Sequence, residues 1–125
     1  MVLDEVCLMK RVLIIEDVSF MRITLKSMLE KNGFMVVGEA PNGLEGIKKY
    51  IELKPDVVTM DITMPEVNGI TALKKIKEID PSAKVIMVSA MGQEGIVKEA
   101  ILAGALGFLV KPIKEDALIK AINKL

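Results

Sequence analysis

The chain has 125 residues, 51% of them hydrophobic and 27% charged, which fits one soluble domain able to bury a real core. Its 17 basic residues equal its 17 acidic ones, so there is no positive surplus of the kind that marks a nucleic-acid binder. Histidine is absent and cysteine occurs once, at Cys7, which excludes Ser-His-Asp, Cys-His and His-rich zinc chemistry and any internal disulfide.

The lone cysteine points to a cytoplasmic protein. No apolar run approaches the roughly 18 residues of a membrane span, so no membrane association is expected. Residues 1–9 read as an N-terminal extension, or an edge-packing turn, ahead of a domain over residues 10–125. They carry Asp4 and Glu5 and lack the basic leader of a signal peptide, while Met9-Lys10-Arg11 is a natural start.

The first apolar run predicts a strand, β1, near 11–15, which closes abruptly on Glu16-Asp17. A helix, α1, starts at Ser19 as cap, carries Met21, Leu25, Met28 and Leu29 on one side, and ends at Asn32-Gly33. Strand β2 is expected near 34–39. Helix α2 opens at Asn42 and stops before Pro55, because the residue ahead of a proline resists the helical region. Strand β3, near 56–60, runs into Asp61. Helix α3 follows Asn68-Gly69, buries Ile70, Leu73 and Ile76, and ends at Asp80-Pro81.

Strand β4, near 84–88, stops at Ser89, and helix α4 runs from about 93 to 103 and closes at Gly104. Strand β5, near 107–110, stops at Lys111, and α5 begins after Pro112 and fills the C-terminus. Short, continuous apolar strands alternating with amphipathic helices predict an α/β domain, a doubly wound parallel sheet covered on both faces. On α4 the expected core row is Val97, Ile101 and Gly104. Glu94, Lys98, Leu102 and Leu106 recur every four residues and form an exposed row, so Leu102 and Leu106 are candidate partner contacts.

The strand endings carry the chemistry. In parallel α/β sheets ligands bind outside the carboxyl ends of the strands. Two adjacent acids, Glu16 and Asp17, repel each other unless a cation is near, and Asp61 would meet them from the neighbouring strand β3. Three acids with a backbone carbonyl suit Mg2+, a hard octahedral cation. Asp61 is also a candidate nucleophile, since carboxylates form acyl phosphates. Lys111 would supply further positive charge to phosphoryl oxygens and Ser89 a hydrogen bond. Taken singly, Asp17 could be a helix cap, Asp61 a turn residue, Ser89 a turn residue and Lys111 a surface charge. Glu39, at the end of β2, receives no role and is placed on an edge strand away from the site.

Ile15-Glu16-Asp17, Met60-Asp61-Ile62-Thr63-Met64-Pro65, Ser89-Ala90 and Lys111-Pro112 together resemble the motifs of response-regulator receiver domains, in order and spacing, over residues 10–125. The branch that it resembles most is the single-domain chemotaxis regulators of the CheY type. The resemblance implies a flavodoxin-like, five-stranded sheet of order 2-1-3-4-5 flanked by five helices, that order being the known one for this fold.

It also implies roles. Asp61 is the phosphoacceptor, and Glu16, Asp17, Asp61 and the backbone carbonyl of Thr63 hold Mg2+ (or Mn2+). Lys111 pairs with the phosphoryl group or, before phosphorylation, with Asp61. Ser89 and Phe108 form the switch. A CheA-type histidine kinase upstream, a motility-switch protein or adaptor downstream, a possible phosphatase, and a monomeric state are implied as well, with slow self-catalysed loss of phosphate and no other catalysis.

Four positions qualify the match to the family pattern. Glu16 stands where aspartate is usual, Phe108 where the switching aromatic is often tyrosine, and Thr63 and Met91 lie at variable positions that tune phosphate lifetime. Lys111-Pro112 resembles a bond that is cis in the family, whereas sequence statistics alone favour trans, cis being about 5–6% of X-Pro bonds. Two other classes fit less well. A flavin mononucleotide binder would need a phosphate-cradling loop after β1, where Glu16-Asp17 would repel phosphate. A dehalogenase-type phosphatase would carry its aspartyl nucleophile after the first strand in an Asp-x-Asp pattern. Two alternatives remain within the fold: a stand-alone receiver in a non-chemotaxis phosphorelay, and a receiver-fold module that no longer accepts phosphate, against which Asp17, Asp61, Ser89 and Lys111 argue.

Overall fold

β1 (Arg11–Ile15), β3 (Val57–Asp61) and β4 (Val85–Ser89) are apolar along most of their length because helices cover both of their faces. The structure, a computed structural model, describes residues 9–125. Apart from Met9, the expected N-terminal extension lies outside the described residues. The sheet is wholly parallel and its order is β2-β1-β3-β4-β5, with β2 (Met35–Ala40) and β5 (Gly107–Val110) on the edges.

Alternate residues of each strand divide the core into two layers, as the period of two requires. On one face Leu13, Ile15, Val58, Met60, Val85 and Met87 meet α2 (Gly43–Leu53), α3 (Gly69–Ile79) and α4 (Glu94–Leu102). On the other, Val12, Ile14, Val57, Ile86 and Val88 meet Leu25 and Leu29 of α1 (Ser19–Lys31) and Leu118 and Ile122 of α5 (Glu115–Asn123). Each fully buried Leu or Ile contributes about 1.5–3 kcal/mol relative to exposure. The strand order reverses between β2-β1 and β3-β4-β5, so the chain leaves β1 and β3 in opposite directions and opens a crevice at their carboxyl ends.

The helix boundaries follow the expected chemistry with one correction, and three strand ends shift. Asn42 and Asn68 cap α2 and α3, accepting from the amides of Glu45 (2.8 Å) and Thr71 (2.9 Å). Ser19, however, is the first helical residue of α1, and Val18 occupies the cap without a side-chain bond. β2, β3 and β4 each end one residue later than expected, so Asp61 and Ser89 belong to their strands and pair with Val88 and Val110.

On α4 the core row is displaced. Ala100 is fully buried and Ile96 and Ala103 pack beside it, while Ile101, expected inside, is 55% exposed. The reason is size: small side chains at 100 and 103 let the helix lie close to the sheet, and a hydrophobic pattern alone favours the larger Ile101 for that position. Leu102 and Leu106 are exposed, at 77% and 54%.

Candidate functional site

β1 ends at the switch point and delivers Glu16 and Asp17; β3 delivers Asp61 beside them. Carboxylate oxygens of these three residues lie within 4.8 Å of one another. Glu16 and Asp61 are almost wholly buried, at 1% and 3% exposure. The amide of Glu16 donates to the Ala40 carbonyl at 2.9 Å, and its Oε2 accepts from the Val18 amide at 3.2 Å. Asp61 Oδ1 accepts from the Thr63 amide at 3.3 Å, which folds the β3–α3 loop back over the carboxylate.

Lys111, just past the end of β5, is fixed by its amide, which donates to the Ser89 carbonyl at 2.8 Å, and its side chain reaches the acids. Its Nζ lies 2.9 Å from Glu16 Oε1 and 3.6 Å from Asp61 Oδ2. The lysine therefore pairs with both acids and more closely with Glu16, whereas the resemblance had implied Asp61. Burial disfavours its ammonium, but the contacts with Glu16 and Asp61 outweigh that, and its pKa is raised. The Lys111–Pro112 peptide is cis, as the resemblance implied.

Burial pushes the Asp61 carboxyl up from its ordinary 3.8 to about 7; the Glu16 charge and contact with Asp17 add to this, and Lys111 only partly opposes it. Glu16 Oε1 meets Lys111 at ion-pair distance but has no aligned hydrogen-bond donor. Three acids facing one lysine, with a buried carboxylate oxygen short of a donor, form a site whose charge and donor set fit a divalent, oxygen-seeking cation. Glu16, Asp17 and Asp61 are the side chains that could hold Mg2+.

Ser89 is buried beside this group, and its Oγ accepts from the Met91 amide at 3.0 Å, so in this state the hydroxyl serves its own loop. Phe108 pairs with Met87 across β4–β5 and lies half-buried against the core. The structure thus brings Glu16, Asp17, Asp61 and Lys111 into contact, puts Ser89 and Thr63 at the rim, and leaves Leu102 and Leu106 on the outer surface of α4 and its following loop.

The architecture and the strand-end residues together decide the family, and comparison with known proteins agrees. Residues 12–123 match the response regulator receiver domain. The chain belongs to the receiver-domain family.

Among its relatives are the chemotaxis protein CheY of Thermotoga maritima, 58% identical over 92% of this chain and 96% of that one, and CheY of Bacillus subtilis, 58% identical over 91% and 95%. The CheX-CheY-BeF3-Mg+2 complex from Borrelia burgdorferi contains a chain of the same fold (TM-score 0.90, 38% identity, 92% of this chain and 87% of that one). The chain is a CheY-like receiver domain, a phosphoacceptor of the kind that works as a phosphorylation-regulated switch in chemotaxis signalling. No helix among the described residues is long and apolar enough to cross a membrane.

Sequence reasoning passed over two residues of this receiver domain. Arg22, on α1, donates from Nη1 to the Glu16 carbonyl at 2.6 Å. Because its partner is a backbone atom, no pairing of side-chain types announces it. Gly69 lies so close to β3 that a Cβ there would overlap the Asp61 carbonyl and stand 2.7 Å from the Ile62 Cα. A signal for Gly69 was available: Asn68 already caps α3, so a glycine at the first helical position has no capping use and implies close backbone approach.

Proposed function

We propose that Asp61 accepts a phosphoryl group from a phosphohistidine of a CheA-type histidine kinase, and that the modified domain controls a motility-switch protein or adaptor. The observation that carries this reading is the convergence of Glu16, Asp17, Asp61 and Lys111 at the switch point of the sheet. An Asp61 oxygen attacks phosphorus, an O–P bond forms as the N–P bond breaks, and the imidazole leaves with the electron pair and retains or regains its proton from water. Glu16, Asp17, Asp61 and the Thr63 carbonyl would hold Mg2+ (or Mn2+), which would supply positive charge to the phosphoryl oxygens.

Lys111 adds a positive charge of its own and turns from its two carboxylates toward the new dianion. Lys111 partly offsets the burial that raises the Asp61 pKa, and a bound cation would favour the ionised, nucleophilic carboxylate further. Ser89 then gives up the Met91 amide and donates to a phosphoryl oxygen, and the space it leaves favours an inward Phe108. The result is a shift between two states of the α4-β5-α5 face. Slow hydrolysis of the acyl phosphate, by the domain itself or a phosphatase, resets it. The protein acts as a monomer in the cytoplasm, with residues 10–125 as the receiver and residues 1–9 as an extension.

Incubation with Mg2+ and acetyl phosphate tests the core of this reading. Intact mass should rise by one phosphoryl group, and the gain should vanish in Asp61→Ala and without divalent cation. An equal gain in Asp61→Ala would overturn it.

The exposed pair Leu102 and Leu106 gives the output face its apolar contact. In the double variant Leu102→Lys, Leu106→Glu, phosphoryl uptake should be unchanged while binding to the downstream partner weakens. Equal binding would remove these leucines from the interface.

A further inference from the structure

Glu39 was assigned no part in the site, yet it is engaged with Arg22, and Arg22 reaches the metal-site loop. Arg22 Nη1 donates to the Glu16 carbonyl at 2.6 Å, and Nε of the same guanidinium lies 3.7 Å from Glu39 Oε1. Glu39 is itself held in place: Lys49 Nζ donates to its carbonyl at 2.6 Å, and Lys26 Nζ stands 3.9 Å from Oε2.

The need for such a donor follows from the chain path. Pairing between β1 and β2 ends at Ile15 and Ala40, and the Glu16 amide makes the next bond, to the Ala40 carbonyl. Continuing the parallel ladder would offer the Glu16 carbonyl the Asn42 amide, but strand pairing stops at Ala40 and Asn42 turns away as the cap of α2. The Glu16 carbonyl therefore leaves the ladder and is taken by a side chain. That carbonyl shares a rigid plane with the Asp17 amide. A donor that fixes the oxygen also fixes the peptide joining the two adjacent acids, and so the directions in which both carboxylates leave the backbone.

We infer that Arg22 is a positioning residue for the cation site: it sets the Glu16–Asp17 peptide plane, and Glu39 orients its guanidinium from the opposite side. The inference rests on the reading of Glu16, Asp17 and Asp61 as a Mg2+ site. A guanidinium suits the task because its planar fork serves a carbonyl and a carboxylate at once, whereas an ammonium is a single point donor. Partners of this indirect kind orient ligands elsewhere, and losing one typically lowers metal affinity by about 10–100-fold.

The test is Mg2+ titration calorimetry on the whole, unphosphorylated protein, with far-UV circular dichroism and thermal melts in parallel. Arg22→Gln should weaken Mg2+ binding about tenfold or more with secondary structure intact. Arg22→Lys should fall between it and the parent protein, because one donor is restored without the fork. Glu39→Gln should weaken binding about two- to fivefold, the range of an exposed ion pair, and should hardly affect the double variant.

If Arg22→Gln lowers the melting temperature but keeps the parent Mg2+ affinity, the residue is merely structural and the inference is overturned. Should Arg22→Gln not fold, an unchanged affinity in Glu39→Gln and Arg22→Lys overturns it equally. Absence of Mg2+ binding in the parent protein is a different result: it defeats the site reading itself, and this inference with it.

Discussion

Lys111 stands nearer to Glu16, at 2.9 Å, than to Asp61, at 3.6 Å. The longer glutamate, in place of the commoner aspartate, thus takes the lysine's closer contact and at the same time raises the Asp61 pKa through its own charge. In Glu16→Gln the Asp61 carboxyl should titrate below the wild-type value of about 7 in metal-free protein, because the second-largest cause of its elevation is gone. A carboxyl-carbon NMR titration reads this directly. An unmoved midpoint would mean that burial and the contact with Asp17 hold the pKa without the Glu16 charge.

Stability of the metal-free protein should fall as pH rises from about 4 to about 7. The folded Asp61 carboxyl holds its proton up to about 7 against an ordinary value of 3.8, so across that window the unfolded chain binds fewer protons and rising pH favours it. Asp61→Asn removes this slope and raises the metal-free melting temperature at neutral pH, by roughly 4–8 °C per kcal/mol recovered. Mg2+ should stabilise the parent protein most at the neutral end of the range, where Asp61 is ionised. Melts across pH with and without chelator check all three.

Gly69→Ala should destabilise by about 3 kcal/mol or more, because the new methyl overlaps the Asp61 carbonyl and neither backbone can yield without moving the site. Phosphoryl uptake should fall along with stability. Denaturant unfolding and a phosphorylation time course on the same sample would show both, and a variant of wild-type stability would contradict the close approach.

Tyr50→Phe isolates stability from function. The Tyr50 hydroxyl donates to Asp80 Oδ2 at 2.7 Å and ties α2 to the end of α3, at the pole of the sheet opposite the site. This bond, after that from the Ser82 hydroxyl, helps to hold the Asp80 carboxyl below its ordinary pKa. The variant should lose about 1 kcal/mol of stability and accept phosphate at the parent rate. A slowed rate would require a path from α2 to the crevice that the packing does not suggest.

The sequence by itself determined the order and type of the ten elements and the chemistry at their ends. Short continuous apolar runs such as Val57–Met60 fit a parallel sheet covered on both faces, and Asn42, Asn68, Pro55 and Gly104 punctuate the helices by local stereochemistry that neighbours do not override. The acids at 16, 17 and 61 and the lysine at 111 were legible because charged residues ending apolar strands have few structural uses.

What only the tertiary structure decided depends on distances between segments remote in the chain. Which row of α4 faces inward turns on how closely Ala100 lets it approach. Whether Lys111 prefers Glu16 or Asp61 turns on fractions of an ångström. Arg22 and Gly69 entered the site through backbone atoms of residues 16 and 61, which every residue type carries alike, and Glu39 entered only through Arg22. Residue identity encodes side-chain chemistry; the placement of a carbonyl oxygen is a property of the folded path, and it becomes visible only when strands β1, β2 and β3 lie side by side.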